Sequence, residues 1–401
     1  MSNDPEPPSK PRLPRNVWLL GWASFLNDVA SEMIAPLLPS FLIDVLGGNK
    51  FHLGVIEGVA DSLSSVLKLW AGGWSDRTGN RKGLVVRGYA LAALVRPWLA
   101  LATRPWHVFV VRALDRLGKG LRTAPRDAMI VDSTDSSLRG RAFGFHRAMD
   151  HLGAAVGPLL AWAFLWCWPD DLRTLFLLTL LPGLAVVALV VVGLKEPKRQ
   201  TPAGRPFSLG LRHYSRGFHV YLVSLLIFTL GNSSDLFLLV RAEDLGVDKS
   251  LLPILWLVFH IAKSAGNIVG GRAVDRFGPK PLLFAGWLLY AVVYLGFALA
   301  TTAWEIWALF LLYSVFYALS EPSEKTLVAR LVGQQRTGLA YGWFNLLMGV
   351  AALPASLLFG ALYEEFGVVP AFGSGSVLAL AAMVVLAAVR EDDRRLEATS
   401  R

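Results

Sequence analysis

The chain alternates between long apolar runs and short polar breaks. Twelve runs approach the roughly 20 residues that a helix needs to cross a bilayer. They occupy 17–43, 51–73, 83–103, 106–125, 140–166, 172–194, 218–240, 251–271, 281–301, 304–324, 338–363 and 369–389. The longest break, Lys195 to Arg216, carries Pro197, Pro202, Gly204 and Pro206, and falls between the sixth and seventh runs. The spacing predicts an all-α polytopic membrane protein of twelve helices. A tail (1–16), a six-helix unit (17–194), a linker (195–216), a second six-helix unit (217–390) and a tail (391–401) follow in order. The stretch Met1 to Arg15 is polar, with five prolines, and reads as a cytosolic tail rather than a secretory signal.

Composition agrees with a membrane chain. Hydrophobic residues make up 54% and charged residues 17%, against about 25% charged in ordinary globular proteins. This excludes a disordered chain, a disulfide scaffold and a typical soluble enzyme. The single cysteine, Cys167, excludes an internal disulfide and a Cys-rich metal site. A net charge of +9 would suggest nucleic acid in a soluble protein, but its placement gives another reason. With the N-terminus inside and the helices alternating, 28 of the 39 Lys and Arg residues fall in inside segments. Five fall outside: Lys50, Arg104, Arg173, Arg241 and Lys249. This asymmetry predicts both termini in the cytoplasm. It assigns the protein to the plasma membrane, the inner membrane in a bacterium, with no nucleic-acid partner.

A repeat underlies the two halves. Residues 72–84 read G-G-W-S-D-R-T-G-N-R-K-G-L and residues 271–280 read G-R-A-V-D-R-F-G-P-K. Both contain G-x-x-x-D-R-x-G, at an offset of 199, after the second helix of a six-helix set. The sequence here resembles the major facilitator superfamily of secondary transporters, whose signature loop joins helices 2 and 3. The resemblance implies two six-helix bundles around a central cavity that opens alternately to each side. It makes Gly72, Asp76, Arg77, Gly79 and Arg81 inner-gate residues, with Asp275 and Arg276 their repeat. Asn80 stands where a basic residue is usual. Helix 5 carries Gly144, Gly153, Gly157 and Pro158, which resembles the family's antiporter motif of proton-coupled exporters. Gly153 and Gly157 form a small-x-x-x-small face. Ala161-Trp162 departs from the glycine pair expected next.

Ionisable residues at membrane depth are costly and mark candidate sites. Helix 1 carries Asn27, Asp28, Ser31 and Glu32; helix 2 carries Glu57 and Asp61. Each acidic pair is four residues apart and shares a face. Arg112, Arg116 and Lys119 form a basic stripe on helix 4, and either arginine can face Asp28 or Glu32. A carboxylate beside an arginine holds its charge, and loss of that partner in a dry site favours the protonated form. Asp28, Glu32, Glu57, Asp61, Arg112, Arg116, Asp150 and His151 are therefore the proton-coupling candidates. Asn27, Ser31, Asp235, His260, Lys263, Glu321 and Asn345 are the cavity candidates. Fixed ion pairs are the expectation for Lys68, Arg96 and Arg147. Glu324 and Lys325 are expected to cap the inner end of helix 10 at a break made by Pro322. Trp256, Phe259, Tyr290, Tyr313, Phe316, Tyr317 and Trp343 lie deep enough to supply a cavity wall. No spacing indicates a resident metal or cofactor.

These features favour a monomeric transporter moving a small amphipathic or charged organic molecule outward in exchange for protons. A proton symporter importing an organic acid or sugar uses the same fold, and the helix-4 stripe would attract its anion. A membrane-embedded enzyme or sensor would need a nucleophile elbow, phosphate loop or soluble domain, and the sequence has none.

Overall fold

The computed structural model describes residues 12–48, 50–169, 171–197, 209–233, 235–248, 251–333 and 336–391. Among these residues every regular element is helical. The first half contains α1 (Arg15–Glu32, resuming at Leu38–Ser40 and Phe41–Val45), α2 (Lys50–Thr78) and α3 (Arg81–Val95, ending in the turn Arg96–Leu101). It continues with α4 (Pro105–Ser133), α5 (Arg139–Cys167) and α6 (Leu172–Leu178, Leu180–Ala188, Leu189–Gly193). The second half contains α7 (Arg216–Gly231 and Leu236–Asp244), α8 (Leu252–Phe277), α9 (Pro279–Leu299), α10 (Ala303–Val332), α11 (Thr337–Phe366) and α12 (Val368–Ala387). Among the described residues, nine of these have the length and apolar composition of a membrane span. The other three are α1, which a turn interrupts, and α2 and α4, which carry charges along their length.

The first helix of each half is broken at an equivalent depth. α1 leaves the helix after Glu32, and α7 after Gly231, at an offset of 199. Broken helices at mid-membrane expose backbone groups where a transporter binds its cargo. Two sequence expectations change. α4 runs on to Ser133, so Arg126 and Asp127, past the end of the run 106–125, are buried helix residues rather than loop residues. α10 passes through Pro322 without stopping, so Glu324 and Lys325 sit inside the helix and cap nothing. Neighbouring helices in a bundle tolerate the missing amide of an internal proline.

The halves meet along two seams, α2 with α11 and α5 with α8. Glycines form both. A Cβ on Gly72 would lie 2.1 Å from the Gly338 carbonyl oxygen, and one on Gly144 would lie 2.3 Å from that of Asn267. Only hydrogen side chains allow backbones this close. The α2–α11 seam continues past Gly342, packed on Leu69, to Gly349, packed on Ser65. The α5–α8 seam reaches the Ser264 hydroxyl, which donates to the Ala148 carbonyl at 2.8 Å. Contacts between halves thus run from the ends bearing the basic loops, here called the basic face, to mid-depth.

The second half is filled by aromatic rings. Phe228 stacks on Trp287 at 4.4 Å, and Tyr290, Tyr313 and Phe316 pack around them. Tyr290, Tyr313 and Phe316 are at most 2% exposed, so they belong to the core of this bundle rather than to a cavity wall.

Gly338→Val is expected to push α11 off α2. An overpacked contact of this kind costs about 2 kcal/mol, or roughly thirtyfold in the closed-to-open ratio. In a Cys167→Ser background, a cysteine at the buried Ala340 should then label that much faster with a maleimide.

Candidate functional site

The basic face is closed by two carboxylates that cross between halves. Asp76, at the end of α2, accepts from the amides of Gly338 (3.1 Å) and Leu339 (2.8 Å) at the start of α11. Asp275, at the end of α8, accepts from the amides of Gly140 (2.7 Å) and Arg141 (3.1 Å) at the start of α5. A carboxylate at a helix N-terminus meets unpaired N–H groups and the positive end of the helix dipole. Arg81 is fully buried and joins Asp76 (3.2 Å), Asp132 (3.1 Å) and the Thr337 hydroxyl (2.9 Å). Gly79 supplies the left-handed turn, at φ +71°, that returns the chain into α3. Arg77 and Arg276 stand apart from these contacts. Both are exposed and lie over the rings of Trp74 and Phe277. Asn80, at the position where a basic residue is usual, caps α3 and accepts from the Gly83 amide at 2.7 Å.

Nearer mid-depth, the charges of the first half sort into a network and two free acids. Arg96 donates to Asp115 at 2.9 Å and to the Asn27 carbonyl at 3.0 Å. Asp115 also draws Arg112 (4.0 Å) and Arg116 (3.9 Å). Arg116 pairs with Asp61 of α2 at 2.8 Å, so this helix-4 arginine faces α2 and not α1. The Glu57 side chain lies outside the described residues. Asn27 is a buried hub that also accepts from Arg122 at 3.3 Å, so it braces the network. On α1, Asp28 accepts from Asn27 at 2.9 Å and Glu32 meets Ser31 at 3.5 Å. Among the described residues neither carboxylate is ion-paired. The expected pairing of α1 acids with helix-4 arginines is therefore not made.

The helix-5 glycines explain how these acids sit. A Cβ on Gly153 would lie 2.9 Å from the Asp28 Cβ, and one on Gly157 would lie 2.8 Å from the Glu32 Cβ. The pair lets α5 press on α1 at the two acidic positions. Gly144 faces the other way, onto α8, and Pro158 lies within the unbroken helix.

Two polar contacts join the halves across the interior. Asp127 of α4 binds Lys325 of α10, with exposures of 0% and 2%. Arg126 and Glu324 precede them, so the repeat, here at an offset of 198, places opposite charges at equivalent positions. Closer to mid-depth, His151 of α5 contacts Glu321 of α10 at 2.8 Å, and Asn267 of α8 donates to the same carboxylate at 2.9 Å. Asp150 stays within its own helix, bound by Arg147 at 3.1 Å and near His146 at 3.6 Å. In the second half, Asp235 accepts from Tyr313 (2.8 Å) and Tyr317 (2.9 Å) beside the α7 break. Lys263 lies 3.3 Å above the Tyr317 ring, and the rings of His260 and His151 are 5.5 Å apart. Asn345 donates to the Tyr341 carbonyl of its own helix.

The profile of the Major Facilitator Superfamily matches residues 20–241 and 220–401. The chain belongs to that superfamily. It is 34% identical over 381 residues to an uncharacterized MFS-type transporter of Methanocaldococcus jannaschii, covering 93% of this chain and 94% of the relative. It is 25% identical over 326 residues to the multidrug resistance protein MdtH of Cronobacter sakazakii, covering 77% and 79%. The E. coli fucose:proton symporter FucP superposes with a TM-score of 0.75 at 17% identity, covering 93% of this chain and 98% of that one. The protein is thus a multi-pass secondary transporter of this superfamily and not an enzyme.

Sequence reasoning placed Asp115 and Arg122 on helix 4 without making them site candidates, and missed Arg126 and Asp127. The last two were assigned to a loop because the apolar run ends at Pro125. The helix starts at Pro105 and Ala303 set the offset here at 198, and this aligns Arg126-Asp127 with Glu324-Lys325.

Removing one member of a buried pair leaves the other uncompensated, at roughly 3–5 kcal/mol. Lys325→Met and Asp127→Asn should each loosen the basic face, raising maleimide labelling at the Ala340→Cys reporter. The double variant should label less than the sum of the single effects requires, because the two residues share one interaction.

Proposed function

We propose that this transporter exports a small amphipathic or charged organic molecule by exchange with protons. The observation that carries this reading is the pair Asp28 and Glu32. Both lie in the membrane interior on α1, lack a cationic partner among the described residues, and are clasped by Gly153 and Gly157 of α5. Two carboxylates on one helix face repel each other when both are ionised, so the pair favours taking up one proton. With the basic face assigned to the cytoplasm by its Lys and Arg, the closed seams shut the cytoplasmic side, and the acids meet protons from outside. A proton on an Asp28 or Glu32 oxygen removes that repulsion at the α1–α5 contact. Opening of the cytoplasmic side, by release of Asp76 and Asp275 from the α11 and α5 amides, then exposes the acids to lower proton activity. Cargo entering from the cytoplasm competes with the proton. The likeness to MdtH, named for multidrug resistance, supports export.

Symport has one feature in its favour: Arg112, Arg116 and Lys119 on α4, which would hold an anion. Asp115 and Asp61 already occupy Arg116, which weakens that alternative.

In vesicles of known orientation with an imposed pH gradient, cargo should move against the protons. Movement in the same direction as protons overturns antiport. Asp28→Asn and Glu32→Gln should each lower gradient-driven transport at least tenfold while leaving exchange of cargo for cargo in place. If carboxamide replacement of Asp28, Glu32, Glu57 and Asp61, one at a time, leaves pH-driven transport intact, these acids are not the proton site.

A further inference from the structure

The second half contains a stripe of polar groups whose bonding capacity is only partly used. His260, Lys263 and Asn267 lie three and four residues apart on α8, and so share one helix face. Lys263 is 4% exposed and Asn267 is 0% exposed. Among the described residues, the Lys263 ammonium has no carboxylate or carbonyl partner. It rests on aromatic faces, 3.3 Å from the Tyr317 ring centre and 4.8 Å from that of Phe259. The carboxylates whose fields reach it, Glu321 and Asp235, are held elsewhere. Glu321 is held by His151 and Asn267, and Asp235 by two tyrosine hydroxyls. The His260 Nδ1 and the Asn267 Oδ1 are buried without a hydrogen-bond partner.

An ammonium deep in a membrane protein is normally neutralised by an acid. Ring faces attract a cation but accept no conventional hydrogen bond, so all three N–H groups stay available. The first half offers the reverse: Asp28 and Glu32 are acids without cations. The interior is therefore divided, with acids that lack a cation on α1 and an ammonium that lacks an acid on α8. Trp256, which is only partly buried and whose ring lies 5.1 Å from that of His260, adds an apolar face beside the donor.

The geometry points to Lys263 as the anchor for an anionic group of the cargo, an oxyanion such as a carboxylate on an amphipathic organic molecule. The oxyanion accepts from the ammonium. The His260 Nδ1 and the Asn267 Oδ1 take up a neighbouring polar group, and the apolar body lies against Trp256. This rests on and deepens the transport reading above, and it does not depend on the direction of transport or on the coupling ion.

Equilibrium dialysis of the purified full chain in lipid nanodiscs, with no gradient, tests it. The probes are 2-naphthoate, octanoate, 2-naphthamide and 2-naphthylmethylammonium. Saturable binding of the two carboxylates is expected at roughly ten to a hundred times the affinity of the amide, the difference made by a charged hydrogen bond. Lys263→Met should reduce carboxylate binding to the level of the amide, and Lys263→Arg should keep most of it. Thermal unfolding of each variant separates loss of binding from loss of fold, and the arginine variant keeps the test decisive if the methionine variant is unstable. Preference for the amide or the ammonium, an unchanged affinity in a folded Lys263→Met, loss of binding in Lys263→Arg equal to that in Lys263→Met, or no saturable carboxylate binding overturns the assignment. Proton antiport would then stand or fall separately, on the vesicle experiment.

Discussion

The closed arrangement depends on a carboxylate of one half accepting backbone amides of the other. Asp76 holds the start of α11, and Asp275 holds the start of α5. Amides at a helix start have no partner within their own helix, so an acid brought there satisfies groups that water would otherwise have to reach. The acceptor is a side chain and the donors are main chain, which fixes both the register and the approach of the two helices. The glycines follow from this. Gly72 against Gly338 and Gly140 against Gly271 are needed because any side chain would hold the amides out of reach of the acids.

α5 serves both functions through opposite faces. Gly140 and Gly144 lie on α8, in the seam between halves, while Gly153 and Gly157 lie on α1 at Asp28 and Glu32. His151, between the two glycine pairs in sequence, reaches α10 through Glu321. A shift of this one helix therefore changes the seam, the acidic pair and the cross-half contact together. Rigid coupling of this kind is what the proposed exchange with protons requires, since proton binding and opening must then not occur independently.

Much of the fold could be read from the chain because a bilayer imposes a length and a composition on each span. The repeat and its two aspartates were equally legible, since G-x-x-x-D-R-x-G occurs at matching places. Partner choice was not. Sequence spacing shows that Arg116 and Asp28 each lie at membrane depth, but not how α4 is rotated, and that rotation turns Arg116 to Asp61. Helix ends were misjudged where a proline or a charge cluster resembles a boundary, as at Pro125 and Pro322. Inside a bundle such residues continue the helix because neighbouring helices supply their partners. The break in α1 after Glu32 was hidden for the opposite reason: an apolar run looks the same whether or not its backbone turns.

The Asp127–Lys325 contact has a consequence for how such a chain arises. The two residues occupy equivalent places in the repeat, so two identical copies of the first half, paired about the same axis, would set aspartate against aspartate and Arg126 against Arg126. Two copies of the second half would oppose lysines. The contact as it stands needs one half of each kind. Two halves with the same charge at this depth could not make it, so the contact favours pairing of unlike halves over like ones. The pair thus works as a mating type inside a single polypeptide.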